Sequence, residues 1–311
     1  MNNEKKAAVI IGGGVGKHIA FSSLIPSLRE KYGDITLVNS YPMIFHNNPD
    51  VYRNYTTDHQ FLYEDHLSDL DVYKVEPYDS NEYRKEKMHL IDTYAKLLKL
   101  DKYDKTPKLY ISKQEEAETI NFINNNIKTN YILLHIFGGV SLYTPQNVNQ
   151  KQSFSRDYPI ELAQELVYKI RQKYPGLAVL QIGFQTEPML KDVININNAP
   201  IRSLFPLVKY CKTFIGIDSC VQHISAAFNK KGIVLWGGTD PTKLGYDHNI
   251  NLEIKQLSKC KETHCHRPDT YFFDNEAQRL WTCPHDYECM KFSTDVILEQ
   301  FDNIMGESVK K

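Results

Sequence analysis

The sequence predicts an α/β protein made of two doubly wound units, and two observations carry that prediction. Short apolar runs at 7–11, 35–38, 131–136, 178–182, 214–217 and 232–236 have the length and β-branched content of strands covered on both faces. Between them lie segments whose apolar residues recur at helical spacing, and several runs end in glycine or a small polar residue. Parallel strands need a crossover of helix length, so this alternation reads as βαβ units sharing a sheet.

At 311 residues the chain can hold two ordinary domains, and 41% hydrophobic with 24% charged residues is the composition of a soluble globular protein. Lys plus Arg number 37 and Asp plus Glu 38, a near-neutral balance that excludes a protein dedicated to coating nucleic acid while permitting a local basic groove. No apolar run approaches the roughly 20 residues that cross a bilayer. The first strand, 7–11, follows Glu4-Lys5-Lys6 and runs directly into Gly12-Gly13-Gly14, which is too short a core for a signal peptide. A cytoplasmic location is therefore expected, where six cysteines read as free, metal-binding or catalytic thiols rather than disulfides.

After the glycine turn, Ile19, Phe21, Leu24, Ile25 and Leu28 fall at helical spacing. Tyr32-Gly33-Asp34 stops that helix before the strand at 35–38. Residues 50–105, rich in Tyr, Asp, His and Asn with little periodicity, predict loops and short helices around an acceptor, and 115–127 predicts a helix. The Asn-rich stretch Asn124-Asn125-Asn126 marks the expected boundary between an acceptor-side unit, 1–128, and a nucleotide-binding unit, 129–311. In the second unit the strand at 131–136 leads to Gly138-Gly139 and a polar loop. Helices are then expected at 159–173, 201–210 and 221–228, alternating with strands at 178–182, 214–217 and 232–236.

Gly12-Gly13-Gly14-Val15-Gly16-Lys17 invites two standard phosphate-loop readings and satisfies neither. A dinucleotide fingerprint would place glycine at 17, where lysine stands. A P-loop would need glycine at 11 and Ser or Thr at 18, where isoleucine and histidine stand. What remains is a strand-to-helix turn of low bulk whose backbone N–H groups at Gly14 and Gly16 suit an anion; the plain alternative is a turn kept small for packing. The strongest stretch is 213–241. Asp218 follows a strand end, where open α/β sheets bind ligands. Ser219 can cap the helix that follows, whose first N–H groups suit phosphate, and His223 lies about one turn further. Trp236-Gly237-Gly238-Thr239-Asp240-Pro241 brings a second strand to a small-residue turn.

This stretch resembles the donor-site signature of heptosyltransferase-like glycosyltransferases: a strand, Asp-Ser/Thr-Gly, two residues, His, an alanine-rich helix, a strand and Gly-Pro-Thr-Asp-Pro. Cys220 stands where the family usually has glycine and Gly238 where it has proline. Gly16 with its helix, Asn47-Asn48-Pro49-Asp50, His135 to Gly139, Arg156-Asp157-Tyr158-Pro159 and the segment from Ile182-Gly183 to Glu187 follow the family's order, so the resemblance covers most of the chain. It implies the GT-B fold, two Rossmann-like domains facing across a cleft, and inverting transfer of a sugar from a nucleotide donor, typically ADP-heptose, without a catalytic metal. It also implies donor contacts at Gly138, Arg156 (where a lysine usually meets the phosphates), Glu187 at the ribose or base, and Asp218, Ser219, His223 and Thr239 at the sugar-phosphate. An arginine fork suits phosphate, since it binds two oxygens at once.

The family's general base is an aspartate directly after the glycine of the first turn, and Lys17 occupies that position. Lys17 can hold diphosphate; His18 is the nearest group able to accept a proton near neutral pH, with Asp50, Asp58 and Asp65 as alternatives. The acceptor stays open among a glycan such as lipopolysaccharide core, a protein, and hydroxylated DNA bases as in some phage enzymes. A non-catalytic nucleotide-sugar-binding protein and a Rossmann oxidoreductase or epimerase are the competing classes, the latter opposed by the broken glycine fingerprint. A homo-oligomer is a further expectation. In the segment 258–291, Cys260, Cys265, Cys283 and Cys289, with His264, His266 and His285 interleaved, give two pairs fit for a structural four-thiolate site. Family members that modify proteins bind iron in such a cluster, and zinc is chemically as suitable.

Overall fold

The computed structural model describes residues 6–138, 156–183, 187–260, 264–265 and 285–309. The chain divides into two compact units, 1–113 and 114–311. In the first, β1 (Ala7–Ile11) leads through the glycine turn into α1 (Val15–Phe21), a short 3-10 turn and α2 (Ile25–Tyr32). Strands β2 (Ile35–Asn39), β3 (Arg53–Thr56) and β4 (Asp71–Val75) follow, then α3 (Asn81–Arg84) and α4 (Leu90–Leu97). All pairings are parallel, in the order β3-β2-β1-β4. β1 and β2 are almost wholly buried, as apolar runs between two layers must be. Phe21 of α1 meets the ring of Tyr94 of α4 edge-on at 5.2 Å, closing the core on that side.

The second unit opens with α5 (Lys113–Phe122), which a π-helical turn extends to Ile127 before Lys128 breaks it at φ 60°. Helix α5 goes with this unit because Glu115 pairs with Arg202 and Glu116 with Lys209, both on α7 (Ile201–Tyr210). The division thus falls ahead of the expected boundary at 128. The remaining elements are β5 (Tyr131–His135), α6 (Ile160–Lys173), β6 (Ala178–Gly183), β7 (Ile194–Asn197), α7, β8 (Phe214–Ile217), α8 (Cys220–Ala227), β9 (Ile233–Trp236), α9 (Pro241–Leu244), β10 (Ile250–Glu253) and α10 (Thr294–Val309). They build a six-stranded parallel sheet in the order β10-β9-β8-β5-β6-β7. Its core joins Ile132 and Leu134 of β5 with Leu166 and Ile170 of α6 and Phe301 and Ile304 of α10. Lys173 and Tyr174 both bond Asp302, fastening α6 to α10.

Strands β3 and β4 lie inside the stretch expected to hold only loops and short helices. Both are edge strands whose side chains, Val75 apart, are exposed or half-exposed, so neither shows a buried apolar run. Among the described residues no helix is long and apolar enough to cross a membrane.

Candidate functional site

Read in chain order, the second sheet runs third, second, first, fourth, fifth, sixth strand, so its order reverses between β5 and β8. The crevice beyond the carboxyl ends of those two strands is where such sheets bind ligands. His135 ends β5 and Gly138 follows it; Asp218 and Ser219 follow β8. His135 Nδ1 and Ser219 Oγ share a hydrogen bond of 2.7 Å across this crevice. Arg156 lies 3.8 Å from the Asp218 carboxylate, and its guanidinium also donates to the Asp218 carbonyl at 3.4 Å. Gly138 gives this arginine room. A Cβ there would sit 2.8 Å from Ile217 Cδ1 and 3.7 Å from the arginine itself.

Burial pushes the Asp218 carboxyl above its ordinary range, while Arg156, Thr239 and Gln222 pull it back. Gln222 donates to Asp218 Oδ1 at 3.2 Å and to the Leu244 carbonyl at 3.1 Å, joining α8 to the end of α9. Thr239 is buried beside the same carboxyl. His223, one turn into α8, hydrogen-bonds the Tyr246 hydroxyl at 2.9 Å, and burial followed by the charge of Asp218 raises that phenol far above its usual pKa. Ser219 departs from expectation. It is the extended residue ahead of α8, yet its side chain makes no cap bond, because its hydroxyl is taken by His135. The first N–H groups of α8 therefore keep no side-chain acceptor of the usual kind.

Glu187 stands at a second point of the same sheet edge. It is 4% exposed and lies over the end of β6, so close that a Cβ on Gly183 would fall 2.2 Å from its Oε2 and 3.2 Å from Asn197 Oδ1 at the end of β7. The structure thus brings Gly138, Arg156, Asp218, Ser219 and Thr239 together at the strand reversal, with His223 behind them and Glu187 over the neighbouring strand ends. His135, Gln222, Tyr246 and Asn197 were not singled out as site residues from the sequence. A histidine that ends a strand three residues before a glycine pair was the available signal for the first; the others reach the site only through packing.

In the first unit, Gly14 precedes α1 without a side-chain cap bond, and Gly16 is in its first turn. His18 is fully buried, donates from Nδ1 to the Gly14 carbonyl at 2.9 Å, and packs against Tyr41 and Phe45. Burial holds its pKa below the usual value. The expected base is thus a buried imidazole whose Nε2 has no hydrogen-bond partner among the described residues. Lys17 is also buried, and its ammonium lies 2.6 and 2.7 Å from the two carboxylate oxygens of Glu76.

Of the cysteine cluster, Cys260, Cys265 and Cys289 are half-buried, and Cys283 lies outside the described residues. Glu288 accepts hydrogen bonds from the backbone N–H groups of Ser258, Lys259 and Cys260, which ties the turn carrying Cys289 to the segment entering Cys260. Hydrogen bonds from the Ser258 side chain and those N–H groups hold the Glu288 carboxyl down to about 2. His264 is engaged by Glu253 at 2.8 Å. Among the described residues no group of three or more potential ligands is arranged to hold a metal ion.

Residues 198–270, which span β8, α8 and the turn after β9, match the family model for glycosyltransferase family 9 (heptosyltransferase). That segment is similar to the heptosyltransferase family. The chain's fold agrees over nearly the whole length with a family 9 glycosyltransferase from Veillonella parvula (14% identity, 99% of each chain covered, TM-score 0.70). It also agrees with the dodecameric iron-containing heptosyltransferase TibC of enterotoxigenic E. coli, solved with ADP-D-beta-D-heptose (12% identity, 99% of this chain and 79% of that one, TM-score 0.72). A third agreement is with the E. coli ADP-heptose lipopolysaccharide heptosyltransferase II (13% identity, 97% and 99% covered, TM-score 0.65). No curated protein matches the chain by sequence. At these identities the likeness to the solved structures is one of fold, the GT-B architecture of two parallel α/β sheets, while the matched segment is similar to the glycosyltransferase family model.

Proposed function

We propose that this chain is an inverting glycosyltransferase that moves a sugar from a nucleotide-sugar donor, an ADP-sugar such as ADP-heptose, onto a hydroxyl acceptor. The observation that carries this is the pairing of Arg156 with Asp218 at the strand reversal, directly before α8. Arg156 supplies a fixed guanidinium fork for the diphosphate, and the α8 N–H groups add partial positive charge as the leaving group develops negative charge. Asp218, whose carboxyl burial already favours the protonated form, can take a proton when a diphosphate approaches and then donate to it. Glu187, with Asn197 beside it, offers acceptors to ribose hydroxyls. ADP is the first nucleotide to test because structural neighbours carry ADP-heptose in their names. The acceptor, whether glycan, protein or hydroxylated DNA base, is the open part of this reading.

The proposal includes a structural thiolate site of Cys260, Cys265, Cys283 and Cys289, supported by Glu288, which ties the turn carrying Cys289 to the segment entering Cys260. Iron or zinc there would staple a segment of low apolar content and take no part in transfer. A cytoplasmic location and a homo-oligomer belong to the same reading; TibC forms a dodecamer.

A thermal-shift series against ADP, UDP, GDP, CDP and NAD(P) tests the proposal. A nucleotide bound only by the folded state at 100 times its Kd adds about 2.7 kcal/mol of stability. ADP should raise Tm and the others should not. Arg156→Ala should abolish most of that shift while leaving the ligand-free Tm near wild type. Stabilisation by NAD(P) alone, or by none of the nucleotides, would sink the reading.

A further inference from the structure

The first unit contains a carboxylate that neither the expected site nor the family-like segment accounts for. Strands β1 and β4 are parallel neighbours in register, Ile11 opposite Val75, so the glycine turn and Glu76 leave the sheet side by side at the same end. The order β3-β2-β1-β4 reverses between these two strands, which makes this the ligand-facing end of the first sheet. Lys17 reaches across from α1 and meets both oxygens of Glu76 at 2.6 and 2.7 Å. Its stem follows the turn so closely that a Cβ on Gly13, already at φ 92°, would lie 2.7 Å from Lys17 Cδ.

The two partners differ in access. Lys17 is 5% exposed, whereas the Glu76 side chain is 30% exposed. The Tyr78 backbone N–H donates to Glu76 Oε1 at 3.1 Å, and the Tyr78 ring sits 4.4 Å from the Lys17 ammonium. A carboxylate is thus fixed from one side by an ammonium and a backbone donor while its other side stays open. Asp50 and Asp58 lie in turns before and after β3 and Asp65 on an exposed π-helical turn, so none of them leaves the carboxyl end of β1 or β4, and His18, which follows β1, is buried.

We infer that Glu76 is the general base of the transfer, and that Lys17 is its positioning residue, the carboxylate being delivered from the end of β4 because position 17 holds the cation. This rests on the proposed glycosyl transfer. In the step, the acceptor O–H bond breaks and its proton passes to Glu76. The acceptor oxygen forms the new bond to the anomeric carbon. The bond from that carbon to the diphosphate oxygen breaks, and its electron pair leaves with the nucleoside diphosphate.

The test follows ADP release from ADP-heptose, with water as the acceptor, together with the ADP-induced rise in Tm. Glu76→Gln should lower kcat by about 100-fold or more, leaving KM for the donor and the ADP shift near wild type. Because Gln would leave the buried Lys17 ammonium without its partner, the pair Lys17→Met with Glu76→Gln removes both charges and should show the same loss in a folded protein. Glu76→Asp should recover part of kcat. Lys17→Met alone should lower kcat without raising KM for the donor, a split that a merely structural lysine would not give, since the carboxylate loses the group that positions it. Wild-type kcat in both Gln-containing variants would overturn the base role and leave the proposed function standing. A wild type that neither gains stability from ADP nor releases it from the donor would overturn both.

Discussion

His135 shows how one side chain at the strand reversal couples site and stability. Its imidazole is held down to about 4, first by burial and then by the Arg156 guanidinium, from an ordinary value of 6.5. The folded protein therefore keeps it neutral where the unfolded chain takes up a proton. Its contribution to stability is complete above about pH 6.5 and declines as pH falls, by up to about 3 kcal/mol near pH 4. Asp218 acts in the opposite sense, because its raised folded pKa makes folding more favourable as the pH drops. Urea unfolding at pH 7 and pH 4.5 should therefore show a smaller loss in His135→Gln than in wild type. An identical loss in both proteins would mean that His135 is not the neutral, enclosed group described above. The same residue scale separates Lys17 from His18. Adjacent in sequence and both titratable, they differ because one finds a carboxylate just past the end of the neighbouring strand β4 and the other finds Tyr41 and Phe45.

At the scale of elements, the six strands legible in the sequence are β1, β2, β5, β6, β8 and β9, and all are interior to their sheets. The four that were not, β3, β4, β7 and β10, are the four sheet edges. An interior strand of a doubly wound sheet is buried on both faces and announces itself as an apolar run; an edge strand is half-solvated and reads as loop. Glycines at strand ends are legible as turns, but their neighbours are not. Gly183 is an example, since only the fold places Glu187 against it. Gly183→Ala should displace Glu187 and weaken ADP binding by about tenfold, equivalent to about 1.4 kcal/mol. The protein should remain folded, as judged by its circular dichroism and ligand-free Tm. Calorimetric titration checks this, and unchanged ADP affinity would remove Glu187 from the donor site.

For the whole molecule, the cysteine segment makes a prediction that no single element can. If the four thiols form one structural site, the purified protein should carry about one iron or zinc per chain, and Cys260, Cys265, Cys283 and Cys289 should resist a thiol reagent until the metal is chelated. Four thiols that react freely in the native, metal-free protein would contradict it. Cys211 is a useful internal control, since burial pushes its thiol up to about 12 and it should stay inert in either case. By itself the sequence determined the class of fold, the interior strands and the segment around Asp218 and His223, because buried periodicity and strand-end turns are local properties written in consecutive residues. Only the tertiary structure decided which charges meet: Arg156 with Asp218, His135 with Ser219, Glu187 over Gly183, and Lys17 with Glu76. Those partners are separated by stretches of chain that carry no periodic signal of their pairing, and parallel strand order, which a crossover helix of any sequence can set, is what brings them to the same end of a sheet.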